Sequence, residues 1–286
     1  MATRATRIVL RIVLGAAAVA FGVVAYVYLT LPDVRRLATV NPATTAFMEL
    51  RQREADRAGQ KLRHVHQWVP YGRISPNLKR AVLVAEDSAF WTHEGVDFEQ
   101  LRESIEVNLS RGAAVRGAST ITQQLAKNLY LSPSRDPLRK VRELIIARRL
   151  EAALPKTRIF ELYLNLIEWG DGVWGAEAAA RTHFGVSAAN LSRDQAALLA
   201  GAIINPRRYS PSHPNRRLLR RQRIILANMR LIEPGPPVAA RRDQPPAPPK
   251  VERLDDEAAG EPDDEAEATP AADQGAAGSP DTAAPE

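Results

Sequence analysis

"GASTITQQLAKNL", residues 117–129, opens on small and hydroxylated residues, then sets amides and a lysine among a few aliphatics. Thr120 and Gln123 have the spacing of a capping box, hydroxyl first and amide three residues later, which marks a helix start. At the helical turn of about 100° per residue, Ile121, Leu125 and Leu129 form one narrow apolar stripe. Thr120, Gln124 and Lys127 line a different face. Taken alone, such a run reads as a solvated surface helix. What the polar face holds depends on the rest of the chain.

The neighbouring segments repeat the helical period. "DFEQLRESIEVNLSRG", residues 97–112, places Phe98, Leu101, Ile105 and Leu109 in one stripe and predicts a helix that stops at Gly112. A helix is expected to begin near Thr45 in "NPATTAFMELRQREADR". "SRDQAALLAGAIINP", residues 192–206, starts on a second capping box, Ser192 with Gln195, and is stopped by Pro206. "ELYLNLI", residues 161–167, is apolar on nearly every face, which predicts a buried helix whose Asn165 caps or bonds backbone. Trp169 and Trp174 flank "GDGV" and read as packing. No convincing run of alternating strands is visible, so the folded part is expected to be mainly α, densest from about Trp68 to Met229.

The 286 residues suffice for one large domain or two small ones. The absence of cysteine excludes disulfides, thiolate metal sites and a cysteine nucleophile. The net charge of +6 conceals a split. Residues 251–286 carry twelve acidic residues against Arg253, leaving 38 basic and 21 acidic residues, net +17, in 1–250. A body this basic expects a polyanion: nucleic acid, anionic lipid or substrate phosphates.

The N-terminus chooses among these. Ile12–Leu31 is a run of twenty uncharged residues, about the length that crosses a bilayer core. Arg4, Arg7 and Arg11 precede it, which by the positive-inside rule keeps residues 1–11 cytoplasmic. A cleavable signal peptide is the alternative, with "AVA" at 18–20 as its cleavage site, but "FGVVAYVYL" extends the run past a usual signal core. The expected organisation is a cytoplasmic start over 1–11, a transmembrane anchor over 12–31 and a connecting segment over 32–67. A folded domain over 68–233 and a proline-rich, then acidic, unfolded tail over 234–286 complete it. Exported topology does not suit a nucleic-acid partner. The charge is better matched to lipid headgroups and lipid phosphates.

Two stretches carry candidate chemistry. "VAEDSAFWTHEG", residues 84–95, sets adjacent Glu86 and Asp87 among aromatics and His93. Two acids in the first turn of a helix are commonly just favourable with its dipole. A carboxylate among Ala, Phe and Trp is also partly desolvated, which raises its pKa toward that of a useful base. In "RKVRELIIARRLE", residues 139–151, Arg139, Lys140 and Glu143 lie at i, i+1 and i+4. They form either an ordinary surface pair worth tenths of a kcal/mol or a cationic patch able to hold a pyrophosphate, and spacing leaves both open. His64 and His66 read as surface residues.

Together "EDSAFWTHEG", "GASTITQQLAKN", "RKVRELIIARRLE", "KTRIFELYLNLIEWG" and "GAEAAARTHFG" resemble, in order, the five signature blocks of the peptidoglycan glycosyltransferases. The resemblance covers about residues 68–230 and is closest to the monofunctional subgroup, with "TTAFM", "ISPNLKRAVLVAED" and "GDGVWGAEAAA" in agreement. A bifunctional member would need an active-site SxxK and a KTG, and neither occurs. His183 departs from the family's usual tyrosine in "YFG", with little expected consequence.

The resemblance implies a lysozyme-like helical head, a smaller membrane-touching jaw and a cleft between them. It implies an inverting transferase of the bacterial inner membrane that joins lipid II to a growing glycan strand. Glu86 would be its base and Glu143 its second acid, organising the leaving pyrophosphate with Arg139 and Lys140. Thr120, Gln124 and Lys127 would contact substrate, and Asp87, Phe90 and His93 would support the loop. No organic cofactor is implied; a divalent cation, Mg or Mn, would assist at the pyrophosphate, and no protein-only metal site is visible. Partners would be membrane lipids and cell-wall synthesis or division proteins. Two rivals stay open: a glycan-cleaving lysozyme-like enzyme, which also uses two carboxylates across a cleft, and a non-catalytic cell-wall scaffold.

Overall fold

A computed structural model describes residues 4–111, 117–131 and 137–235. Among these, ten α-helices and three short strands are formed. Helix α1 (Arg4–Leu29) contains an apolar stretch, Thr6–Tyr26, long enough to cross a membrane, and none of that stretch is buried in the protein. Its length and composition fit a single-pass membrane anchor. The expected tail and the residues around Gly112 lie outside the described residues.

The segment expected merely to connect is instead packed into the head. Val34 and Leu37, the latter in a 3₁₀ turn at Arg35–Ala38, are buried, as are Met48 and Ala55 of α2 (Ala46–Arg57). Thr45 caps α2, its hydroxyl accepting from the Met48 amide at 3.2 Å. The cause is Met48 and Ala55, seven apart on one face of an otherwise polar helix, an apolar stripe too sparse to stand out in the sequence.

The site is built mainly on α3 (Pro76–Glu86), α5 (Ile121–Tyr130) and α6 (Pro137–Ala153). Helix α3 begins with Ser75 as cap and Pro76 in its first turn, and buries Leu78, Ala81, Val82 and Leu83. Helix α5 has the predicted capping box in both directions, and its stripe Ile121, Leu125 and Leu129 is buried. It packs against α6 and α7 (Lys156–Leu166), whose Ile159, Phe160, Leu162, Leu164 and Leu166 are fully enclosed. Asn165 ties α7 to the preceding loop, accepting from the Val69 amide at 2.8 Å and donating to the Val69 carbonyl at 2.9 Å. Helix α8 (Ala176–Phe184), α9 (Arg193–Ala202) and α10 (Arg216–Asn228) follow, with α9 seated on both α3 and α10. The Ser192–Gln195 capping box starts α9 as expected.

A small sheet is a further difference from the sequence reading. Strand β1 (Val65–His66) runs parallel to β3 (Val173–Trp174), and β2 (Glu168–Gly170) pairs antiparallel on the other side of β3. Strands of two or three residues show no alternation, which is why periodicity missed them. The turn between β2 and β3 needs glycine: at Gly172, with φ +68°, a Cβ would lie 1.8 Å from the Arg63 carbonyl oxygen. Trp169 and Trp174 are buried, as packing requires. The ion pair Arg51–Glu168, 2.9 Å and largely buried, ties α2 to this sheet.

Helix α4 (Phe98–Arg111) forms where the period predicts it. The stripe that the period picked out faces outward, with Phe98 and Leu109 71% and 77% exposed and Leu101 and Ile105 also exposed. Periodicity identifies an apolar face without saying what covers it.

Candidate active site

Glu86 and Asp87 do not begin a helix; they end one. Glu86 is the last residue of α3 and Asp87 its C-cap, so both lie at the negative end of the helix dipole, the reverse of the favourable first-turn placement. Asp87 is compensated from outside α3. Its carboxylate accepts from the Ile121 amide at the start of α5 at 2.9 Å and from His93 Nε2 at 3.0 Å on each oxygen. The Gly95 amide donates to His93 Nδ1 at 3.1 Å, which leaves the ring proton on Nε2, facing Asp87. Asp87, His93 and the wholly buried Phe90 therefore tie the end of α3 to the start of α5.

Glu86 is only half-buried, and its carboxylate accepts from Gln124 Nε2 at 2.7 Å. The Gln124 carbonyl accepts in turn from the Tyr163 hydroxyl at 2.8 Å. Burial raises the Glu86 pKa above its ordinary value. The Gln124 hydrogen bond and the charges of Arg221 and Lys127 oppose that rise, and Asp87 adds to it. A carboxylate balanced in this way can be ionised near neutral pH and still take a proton.

Lys127 links this acid to the second. Its ammonium is lowered in pKa, first by burial and then by Arg139 and Lys140, while Glu143 and Glu86 both support its charge. Glu143, 3% exposed, is held by Lys140 and by Arg139 at 3.5 Å. Three cations around one buried carboxylate leave a local surplus of about two positive charges, which suits a group carrying several negative oxygens.

The partly open positions of α5 are Gln124, Lys127 and Tyr130, successive steps along one face. Thr120 does not share that face. It is buried at the N-cap, where its hydroxyl accepts from the Gln123 amide at 3.2 Å and donates to the Gly95 carbonyl at 2.8 Å. The structure thus brings together Glu86, Gln124, Lys127, Arg139, Lys140 and Glu143, and places Thr120, Asp87, Phe90 and His93 beneath them. His66 bonds the Asn165 carbonyl at 3.0 Å, His64 is exposed, and His183 lies 3.3 Å from the Trp169 carbonyl.

Two members of the site escaped the sequence reading. Tyr163 was hidden because the stretch around it, residues 161–167, is apolar on nearly every face. Arg221, buried on α10, lies within electrostatic reach of Glu86, and its Nε donates to the Gly201 carbonyl at 3.1 Å. A signal existed: Leu218, Arg221, Ile225 and Asn228 share the buried stripe of α10, so one arginine of an arginine-rich helix stands on its inner face.

A family model described as Transglycosylase matches residues 54–230. A protein of Laribacter hongkongensis is 50% identical over 192 residues, 67% of this chain and 84% of its own. One of Methylobacillus flagellatus is 50% identical over 195 residues, 68% of this chain and 84% of its own. One of Aromatoleum aromaticum is 52% identical over 171 residues, 59% of this chain and 74% of its own. All three are named biosynthetic peptidoglycan transglycosylase.

Proposed function

Because the chain belongs to the transglycosylase family and is thereby a peptidoglycan glycosyltransferase with a mainly helical, lysozyme-like head, we propose that it polymerises lipid II through Glu86 and Glu143. The supporting observation is Lys127, which lies within electrostatic reach of both acids and of Arg139 and Lys140. Glu86 accepts the proton of the acceptor's GlcNAc 4-hydroxyl as that oxygen bonds to the anomeric carbon of the donor's MurNAc. The bond from that carbon to the pyrophosphate oxygen breaks on the opposite side, so α becomes β. Lys127, Arg139 and Lys140 take up the charge that develops on the departing polyprenyl pyrophosphate, with Glu143 holding the latter two in place.

A resident divalent cation does not fit the residues present. Glu143 is already engaged by two cationic side chains, and no group of three or more His, Asp or Glu that could hold a metal occurs among the described residues. Mg or Mn at this site would arrive on the pyrophosphate, and no step above is routed through it. The same cations disfavour the glycan-cleaving alternative, which has no pyrophosphate to stabilise.

The anchor holds the chain in the bacterial inner membrane with Arg4, Arg7 and Arg11 inside and the head outside. Arg149 of α6 meets the end of the anchor, donating to the Tyr28 carbonyl at 2.8 Å with its guanidinium 4.2 Å from that ring. The helix carrying Glu143 is thereby kept near a lipid-borne donor. The exposed stripe of α4 is the jaw face that enters the bilayer surface.

The test is detergent-solubilised protein with labelled lipid II, separating polymer from monomer. Glu86→Gln keeps the shape, removes the base, and should lower the rate by about 10²–10⁴-fold. A near wild-type rate in that variant removes Glu86 from the mechanism. Fragments released from preformed glycan, with no polymer from lipid II, would favour cleavage instead.

A further inference from the structure

We propose that Tyr163 is a positioning residue for the reaction: its hydroxyl sets which end of the Gln124 amide faces Glu86. The proposal rests on the reading of Glu86 as the base. Its starting point is a row of two hydrogen bonds, Tyr163 hydroxyl to Gln124 Oε1 at 2.8 Å and Gln124 Nε2 to Glu86 Oε2 at 2.7 Å.

An amide has one accepting and one donating end. Ionised Glu86 only accepts, so the NH₂ group must face it and the carbonyl must then find a donor elsewhere. Tyr163 supplies that donor from the middle of an apolar helix, with Ile159, Phe160, Leu162 and Leu164 all fully buried around it. Phenylalanine would fill the same space, and a buried hydroxyl is costly unless bonded. The hydroxyl's one described hydrogen bond goes to Gln124.

A phenol can also accept, so the row has a second satisfied state. Once Glu86 has taken the acceptor's proton, it can donate to the Gln124 carbonyl, provided the amide turns over about its broad, roughly two-fold terminal torsion. Its NH₂ then donates to the Tyr163 oxygen. Both junctions of the row thus stay bonded in either protonation state, but the phenol donates in the first and only accepts in the second, giving up its own donated bond, so the row favours ionised Glu86. No proton travels along it; the one removed from the attacking hydroxyl stays on Glu86. The charged or titratable groups that face Glu86 are Lys127 of α5, Arg221 of α10, Asp87 at the end of α3 and Tyr163 of α7.

The experiment uses the full chain in detergent with labelled lipid II, measuring kcat and KM against pH. Tyr163→Phe leaves the amide free to present either end. Ionised Glu86 then loses its enforced donor, so the acid limb of the profile should move to higher pH. At neutral pH kcat should fall by about 2- to 10-fold, the worth of one hydrogen bond, with KM unchanged. Fluorotyrosine at 163 keeps the shape and donates more strongly, so it should move the limb the other way. In a Gln124→Leu background, Tyr163→Phe should move nothing. An unmoved acid limb in both Tyr163 variants, or an equal shift in the Gln124→Leu background, overturns the proposal. Glu86→Gln is run beside them: if it remains active, the base reading and the proposal fall together, whereas an inactive Glu86→Gln with an unmoved limb rejects Tyr163 alone.

Discussion

Glu86 has two consequences at the scale of a residue, one for rate and one for stability. A partly buried carboxylate with a raised pKa is held less comfortably ionised in the folded protein than in the unfolded chain. Between the ordinary value of 4.5 and the raised one, the folded state binds more protons than the unfolded state, so stability falls as pH rises through that window. Above the window the cost is fully present. Glu86→Gln should therefore have a melting temperature at pH 7 equal to or above the wild type's, and the gap should close as the pH falls toward 4.5. A variant less stable at pH 7 would show that the hydrogen bond from Gln124 outweighs burial. With Glu86 as the proposed base, the acid limb of activity should follow the same group with the opposite benefit: the form that folds best is the form that cannot act as a base.

At the scale of elements, the end of α3, the start of α5 and the β2–β3 turn are each fixed by a particular contact with a segment distant in sequence. Gly172 is the sharpest case. Alanine there would meet both a left-handed φ and the Arg63 carbonyl, whereas at Gly59, with φ +62°, a Cβ would meet nothing within 4 Å. Gly59→Ala should lose only the ~1–2 kcal/mol that a left-handed L residue costs. Gly172→Ala should lose more, because it also separates β1 from β3, as chemical denaturation of the two variants would reveal. Equal losses would mean that the sheet absorbs the extra atom.

The whole molecule joins a basic chain, net +17 over residues 1–250, to a helix that fits a membrane anchor, a combination suited to an anionic lipid surface. No proposed catalytic group lies in α1, so removal of residues 1–31 should leave the chemistry intact. On bilayer-embedded lipid II the shortened protein should nonetheless be slower, since tethering confines enzyme and substrate to one surface and raises their effective concentration. In detergent the difference should shrink. Liposome and micelle assays of the same two proteins separate these effects; equal rates in liposomes would deny the anchor a kinetic role.

Local spacing alone was enough to read the two capping boxes, the apolar stripe of α5, the buried second half of α7 with Asn165 bonded to backbone, and the apolar length of α1. Each depends on residues within a few positions of one another, so helical geometry decides them before any tertiary contact forms. The ordered blocks around Glu86, Lys127 and Glu143 also marked residues that the fold brings close to one another. Other features needed the folded chain. That Glu86 ends its helix, that Thr120 is buried while Gln124 and Lys127 stay partly open, and that α4 faces outward all depend on neighbours distant in sequence. The row Tyr163–Gln124–Glu86 joins α7, α5 and α3, residues 38 and 39 apart, and Arg221 reaches the same carboxylate from α10. Hydrogen bonds and burial are properties of what surrounds a group, and for these residues the surroundings come from other helices.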